Sequence, residues 1–288
     1  MWKQISDRIS LAIGENFAAR SPRSVSGGCI NEGYKVTDGR LEFFVKINRA
    51  DRVSMFEAEA AGLEQMAATQ TIRVPKPICW GVASDASYIV LEWLNLGQGN
   101  TKAQRKMGRQ LAKLHQYSGS TAFGWTQSNT IGSTPQINYW KSDWIKFWQE
   151  HRIGYQLELA HRQGGNFPQA NAIMAAIPQL LTHHEPQPSF VHGDLWGGNA
   201  AVTDEGEPVI FDPAAYWGDR EVDLAMTELF GGFSSAFYAG YNEVAPVDAG
   251  YERRKILYNL YHILNHYNLF GSGYAGQANR MIEQLLQF

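Results

Sequence analysis

Cysteine is almost missing from this chain. Two among 288 residues, Cys29 and Cys79, are too few for a disulfide framework and lack the spacing of a metal site. No apolar run approaches the ~20 residues of a membrane-spanning helix. The first residues, Met1-Trp2-Lys3-Gln4-Ile5-Ser6-Asp7, lack the apolar stretch of a signal peptide. A basic surplus is missing too: 25 Lys and Arg stand against 28 Asp and Glu, a formal net charge of −3, which gives no electrostatic case for nucleic acid. There is no internal repeat and no low-complexity tract. These absences point to a reduced, cytoplasmic protein with no membrane or nucleic-acid partner. What is abundant is core-forming material, 44% hydrophobic and 12% aromatic, enough for one large or two medium units.

Hydrophobic spacing divides the chain in two. Ile5, Ile9, Ala12 and Ile13 fit a short amphipathic helix within 3–17. A Gly-rich stretch from Ser24 to Lys35 leads to the strand Leu41–Ile47, and Val53–Ala68 reads as a helix with Phe56, Ala60, Leu63 and Ala67 on one side. Trp80–Val82 and Tyr88–Trp93 look like strands paired across Ser84-Asp85. Gly97-Gln98-Gly99-Asn100 is a natural linker, and helix dominates after it. The expected fold is α+β with two lobes as in protein kinases: a small β-rich lobe over 1–94, a hinge over 95–100 and a larger helical lobe over 101–288.

The chemistry concentrates in His192-Gly193-Asp194-Leu195-Trp196-Gly197-Gly198-Asn199 and in Asp212, thirteen positions on. An acid and an amide five apart read as a phosphotransferase catalytic loop, with Asp194 taking the proton of an acceptor hydroxyl and Asn199 reaching back to Mg²⁺. A hairpin through Thr203-Asp204-Glu205-Gly206 and the strand Val209-Ile210-Phe211 would return Asp212 beside Asn199. One carboxylate, one amide oxygen and phosphate oxygens suit Mg²⁺. The same reaction needs ATP held. Gly27 and Gly28 could let backbone N–H groups approach phosphates, although the stretch does not match the Walker pattern. Lys46, polar within an apolar strand, is the candidate for the α- and β-phosphates. Its expected partner is Glu59: Glu57 and Glu59 stand ~200° apart on the helix, and Glu59 shares the face of Phe56 and Leu63. Glu92, Trp93 and Leu94 would offer backbone groups to the adenine edge.

Gly-Gly-Cys-Ile-Asn, Phe-Val-Lys-Ile-Asn, Met-Phe-Glu-Ala-Glu, the loop around Asp194 and Phe-Asp-Pro-Ala-Ala-Tyr-Trp-Gly-Asp-Arg-Glu-Val-Asp-Leu-Ala-Met together resemble the fructosamine (ketosamine) 3-kinase family, related to aminoglycoside and choline kinases. The resemblance runs from about Ser26 to the C-terminus. It implies an ATP- and Mg²⁺-dependent kinase acting on the sugar 3-hydroxyl of free or protein-bound ketosamines, in a deglycation role. It also implies that His192 packs rather than reacts, and that Asp223 braces the catalytic-loop backbone. Asp212 is followed by Pro-Ala rather than Phe-Gly, which argues against a mobile activation segment. Other readings are a kinase for an aminoglycoside-like or choline-like acceptor, a nucleotide-binding pseudokinase, or a metal-dependent hydrolase built on His192 and Asp194. Intact Lys46, Asp194, Asn199 and Asp212 argue against a pseudokinase, and the missing second His-rich cluster argues against a hydrolase.

Several other features carry weaker expectations. Trp196 and Trp217 flank acids and are candidates for stacking on a sugar. Trp140, Trp144 and Trp148 recur every four residues, as a core face does. Gly271-Ser272-Gly273-Tyr274-Ala275-Gly276 fits a dinucleotide-binding expression but follows a helix, so it is a turn. His183-His184 have no ligand partner at helical spacing. Cys29, in the phosphate loop, is a candidate for reversible oxidation, including a disulfide-linked dimer; otherwise a monomer or weak dimer is expected. Cys79, beside Ile78 and Trp80, should be inert.

Overall fold

The computed structural model describes residues 1–25 and 30–288. Gly27, Gly28 and Cys29 lie outside the described residues. Helix α1 (Trp2–Ile13) buries Ile5 and Ile9 and ends at Gly14, whose φ of 73° is a left-handed helix stop. Strands β1 (Arg20–Val25), β2 (Glu32–Thr37) and β3 (Glu42–Arg49) follow, then helix α2 (Val53–Ala68), β4 (Pro77–Ala83) and β5 (Ala86–Glu92). The strands form one antiparallel sheet in the order β1-β2-β3-β5-β4.

Side-chain alternation along β3 gives this sheet two uses. Phe43, Val45 and Ile47 close a small core with Ile5 and Ile9 of α1. Phe44 and Lys46 point the other way, into a cleft. Helix α2 buries Phe56, Ala60, Leu63 and Met66. Ala67, expected on that stripe, is exposed, because a step of three residues from Leu63 keeps the apolar face better than a step of four.

The linker is not free. The Gly97 N–H donates to the Val202 carbonyl at 2.8 Å, and the Asp204 N–H to the Asn95 carbonyl at 3.0 Å. Helix α3 (Thr101–His115) then starts under an Asn100 cap that accepts from the Ala103 N–H. The larger part continues through β6 (Asn129–Ile131), β7 (Thr134–Gln136), α4 (Trp144–Trp148), a π-helical turn (Gln149–Gly154), α5 (Tyr155–Arg162) and α6 (Ala170–Leu180). Next come β8 (Ser189–Val191), β9 (Ala200–Val202), β10 (Pro208–Ile210) and β11 (Tyr216–Gly218). Four helices complete the chain: α7 (Glu221–Leu229), α8 (Ser235–Asn242), α9 (Tyr251–Phe270) and α10 (Ala275–Leu285). Besides the expected hairpin β9–β10, the β6–β7 hairpin and the antiparallel pair β8–β11 also interrupt the helices. Helices α3 and α8 touch backbone to backbone. A Cβ on Gly108 would stand 2.0 Å from the Phe237 carbonyl oxygen, and one on Gly240 would stand 2.1 Å from that of Arg105.

The tryptophan stripe is split. Trp144 and Trp148 are buried core, but Trp140 is exposed, since it precedes the Asp143 cap of α4 and never joins the helix. The turn at Ser272–Tyr274 is a 3-10 turn between α9 and α10 with no strand before it.

Candidate active site

A cleft of about 960 Å³ lies where β3, β5 and α2 face the catalytic loop and the ends of α7 and α9, within the size range of small-molecule sites. It is lined by Lys46, Glu59, Glu92, Trp93, Leu94, Asp194, Trp196, Asn199 and Asp212. The sequence reading placed all nine in a site, across 167 positions of chain.

The catalytic loop is fixed from below. Asp223, in the first turn of α7, accepts the N–H groups of His192 and Gly193 at 2.7 and 2.8 Å. Burial opposes the charge of Asp223, but a hydrogen bond from His115 and those N–H groups hold its carboxyl below the usual range. His115 Nε2 lies 3.0 Å from Asp223, and its Nδ1 lies 2.8 Å from the Tyr241 hydroxyl. His192 Nε2 donates to the Phe211 carbonyl at 2.9 Å, so its Nδ1 is left to accept the Asp194 N–H at 3.3 Å. This imidazole ties the loop to the strand end before Asp212, and burial keeps it neutral. Gly193 adopts φ 81°, and a Cβ there would lie 2.2 Å from the Ala214 carbonyl oxygen. Only glycine permits that approach.

Asn199 joins the two acidic loops. Its backbone carbonyl accepts the Phe211 N–H at 3.0 Å. Its side-chain amide nitrogen donates to the Asp194 carbonyl oxygen at 2.9 Å and to Asp194 Oδ2 at 3.2 Å. With that nitrogen committed, Oδ1 is the end of the side chain that could meet a cation. Asp212 adopts φ 61°, a left-handed conformation uncommon outside glycine but least unfavourable for Asp and Asn. It sends Oδ1 to Lys46 Nζ at 2.7 Å, and Lys46 meets Glu59 Oε1 at the same distance. Glu57 is exposed. Burial disfavours the Lys46 ammonium, yet Asp212 and Glu59 more than compensate and raise its pKa. Burial, with the Asp212 charge, raises Glu59 against the pull of Lys46. Asp212 is held low because Lys46 outweighs burial. Asp194 lacks such a cation, and burial together with Asp212 pushes it up to about 7, where a general base is most effective at neutral pH.

The segment after Asp212 has a brace of its own that sequence reasoning missed. Gln136 donates to the Ala214 carbonyl at 2.9 Å and Asn129 to the Ala215 carbonyl at 2.9 Å. Gln136 and Asn138 both donate to Asn129 Oδ1, and Tyr261 donates to Gln136 Oε1. Arg152, fully buried in the π-helical turn, bonds Asn138 Oδ1 and the Ile137 carbonyl, with its guanidinium 4.1 Å from the Tyr216 ring centre. A π-helical turn inside a helix is the one sequence-independent hint of such a site; four polar residues spread over 129–152 give no period to read.

Three expectations need correction. Trp217 is 3% exposed, pairs with Phe190 across β8–β11 and stacks on Tyr117, so it is core and absent from the cleft wall. All of β11 is buried, so its place in that strand, not proximity to Asp219, decides where it points. Glu92 lines the cleft, but its N–H already donates to the Lys76 carbonyl at 2.8 Å and its carboxylate pairs with Arg73, so neither of those groups is open to a ligand. His184 does have acidic neighbours: Asp219 Oδ2 at 2.6 Å and Glu221 Oε2 at 3.9 Å. Tyr258 also donates to Asp219 and Arg254 grips Glu221, so the group is a closed ion network. Trp196, by contrast, is 41% exposed on the cleft wall. Cys79 is half-buried, and burial pushes its thiol up to about 11, away from the reactive thiolate.

A family model described as fructosamine kinase matches residues 1–288. A probable ketoamine kinase of Synechocystis sp. is 57% identical over 99% of this chain and 97% of its own. A chloroplastic protein-ribulosamine 3-kinase of Arabidopsis thaliana is 46% identical, covering 92% of this chain and 82% of its own. A crystal structure of a fructosamine-3-kinase candidate from Haemophilus somnus superposes with a TM-score of 0.94 at 34% identity, over 99% of this chain and 98% of that one. The choline kinase of Streptococcus pneumoniae, at 15% identity over 99% of this chain and 98% of that one, shares the fold with a TM-score of 0.64. No helix among the described residues is long and apolar enough to cross a membrane.

Proposed function

The chain belongs to the fructosamine kinase family, and from that premise we propose that it transfers the γ-phosphoryl group of ATP to the sugar 3-hydroxyl of a ketosamine. The observation that carries this reading is the difference in charge between two neighbouring carboxylates. Asp194, raised to about 7, is suited to accept the proton of the attacking hydroxyl. Asp212, held ionised by Lys46, is suited to a hard cation. Mg²⁺, when bound, neutralises charge on the phosphates; Asp212 and the free Oδ1 of Asn199 form a donor set of the kind it takes. Lys46, already oriented by Glu59, would meet the α- and β-phosphates, and Trp93 and Leu94 the adenine edge. Asn199 keeps the Asp194 carboxylate aimed by its 3.2 Å hydrogen bond.

In this reading the product is an unstable phosphorylated adduct whose breakdown frees the amine, a repair of glycated amines or proteins in the cytoplasm. ATP consumption measured across fructosamines, ribulosamines, erythrulosamines, aminoglycosides and choline tests it. Turnover is expected with one or more ketosamines. Turnover with aminoglycosides or choline alone would refute the acceptor and leave the phosphotransfer chemistry standing.

A further inference from the structure

Beside Asp194 the cleft wall is made of aromatic rings that the phosphotransfer chemistry does not use. Trp196 and Phe230 are 41% and 44% exposed, and Phe270 is 51% exposed. The catalytic loop abuts the segment that follows Phe230: a Cβ on Gly197 would stand 3.0 Å from the Gly231 carbonyl oxygen. His266 sits at the centre of the group. Its ring centre lies 5.0 Å from Phe230, 5.5 Å from Phe270 and 5.2 Å from Tyr274. All five side chains line the cleft. Large aromatic rings left facing solvent around one imidazole are unusual for a wall with no ligand to meet.

The polarity of this wall is one-sided. His266 Nδ1 lies 2.8 Å from the His262 carbonyl oxygen. A carbonyl can only accept, so Nδ1 carries the hydrogen and Nε2 is a bare acceptor while the ring is neutral. Burial lowers the His266 pKa and favours that neutral form. Among the described lining residues Lys46 is the one Lys or Arg; it is tied to Glu59 and Asp212, and Glu92 pairs with Arg73, which leaves Asp194 as the lining carboxylate with no salt bridge among the described residues. Ring faces present negative quadrupole to a ligand, so faces, acceptor nitrogen and nearby carboxylate all favour a positive charge.

Resting on the ketosamine reading above, we propose that Trp196, Phe230, His266, Phe270 and Tyr274 seat the protonated amine of the acceptor and the first carbons attached to it, so that the site selects cationic ketosamines. A ketosamine nitrogen is a secondary alkylamine and carries a proton at neutral pH. It lies a few bonds from the sugar hydroxyl that must reach Asp194, and Asp194 and Trp196 line the same cleft. The rings supply cation–π attraction, and His266 Nε2 accepts one ammonium N–H. The alkyl carbons, such as those of a lysine side chain, run over Phe270 toward solvent.

The test compares two ligands by calorimetry in the presence of a non-hydrolysable ATP analogue and Mg²⁺: 1-deoxy-1-(butylamino)fructose and its neutral N-acetyl derivative. Wild-type protein should bind the cation about tenfold more tightly, in the range of a partly desolvated cation–π contact. Phe270→Leu and Phe230→Leu, both at exposed positions where folding should be unaffected, should bring the ratio close to one, because losing a ring face weakens binding of the cation more than that of the neutral ligand. Phe270→Lys should invert the preference by adding a like charge. Equal wild-type affinities, or a ratio untouched in all three variants, overturns the proposal. Phosphoryl transfer is read separately on the same ligands. Selective binding without transfer would sink the ketosamine kinase reading and keep the amine seat; transfer without selectivity would do the reverse.

Discussion

The loop carrying Asp194 and the loop carrying Asp212 meet through the Phe211–Asn199 hydrogen bond, yet their carboxylates differ in charge and in support. Burial and the charge of Asp212 push Asp194 up to about 7, whereas Lys46 holds Asp212 below the usual range. The supports are matched inversely. The backbone under Asp194 is held by an ionised carboxylate, Asp223, and the backbone after Asp212 by the neutral amides of Gln136 and Asn129. Two acids with environments that push their pKa values apart can take different roles in one reaction. Here a single lysine divides the roles, because it reaches one acid and not the other. Neutral amides behind Asp212 add no further charge next to the site proposed for a cation.

The largest effects come from removing either acid. Asp194→Asn keeps the shape and the hydrogen bond from Asn199 but removes the base, so kcat should fall ~10²–10⁴-fold, while calorimetry shows Mg-ATP affinity close to wild type. A near-normal kcat would end the base assignment. Asp212→Ala should do the opposite, weakening Mg-nucleotide binding at least about tenfold, since Asn199 alone offers a neutral ligand. If Mg-ATP titrated into that variant as it does into wild type, the division of roles would be wrong.

A smaller effect separates the two by pH. As the proposed base, Asp194 would work only when ionised, and its carboxyl is pushed up to about 7, so kcat/KM for the acceptor should drop as pH falls through that value. Each further unit should cost about tenfold. A cation held by Asp212 favours the charged form and can only move this limb lower. Asp212, already ionised there, adds no second limb between pH 5 and 8. A flat profile from pH 8 to 5 would deny that Asp194 titrates as this environment requires.

How far these differences could be read in advance depended on how local their causes are. The division into a strand-rich first part and a helical second part, helix α2 and the choice of Glu59 over Glu57 follow from apolar spacing, and Asp194, Asn199 and Asp212 sit in one motif and one hairpin. Asp223 was also legible as a brace, because it opens a helix within the same run. Gln136, Asn138 and Arg152 were not, since a buried polar side chain in an irregular segment looks like any loop residue until its partners are known. Trp217 misled for a related reason: it neighbours acids in sequence, but β11 turns it into the core beside Phe190. The aromatic group around His266 was hidden by chain separation, as Phe230 comes from the end of α7 and Phe270 from the end of α9.

The smallest expected effect sharpens the comparison of supports. Asp223→Asn leaves one acceptor oxygen for three donors, the N–H groups of His192 and Gly193 and the His115 ring, and turns an amide N–H toward one of them. Bonds to a charged acceptor contribute about 1.5–3 kcal/mol each, so unfolding by denaturant should show a loss in that range or above. Gln136→Met keeps the volume and removes neutral bonds only. Asn129 Oδ1 still receives Asn138, and the orphaned groups are the Ala214 carbonyl and the Tyr261 hydroxyl, an expected loss of about 1–2 kcal/mol. Because Gln136 holds the turn in which Asp212 keeps its left-handed φ, the variant should also raise the KM for Mg-ATP by a few-fold with little change in kcat. Asp223→Asn, acting on the base, should lower kcat instead. Equal KM and kcat shifts in both variants would mean that the two loops move as one body, and the separate bracing of acid and metal ligand would have to be abandoned.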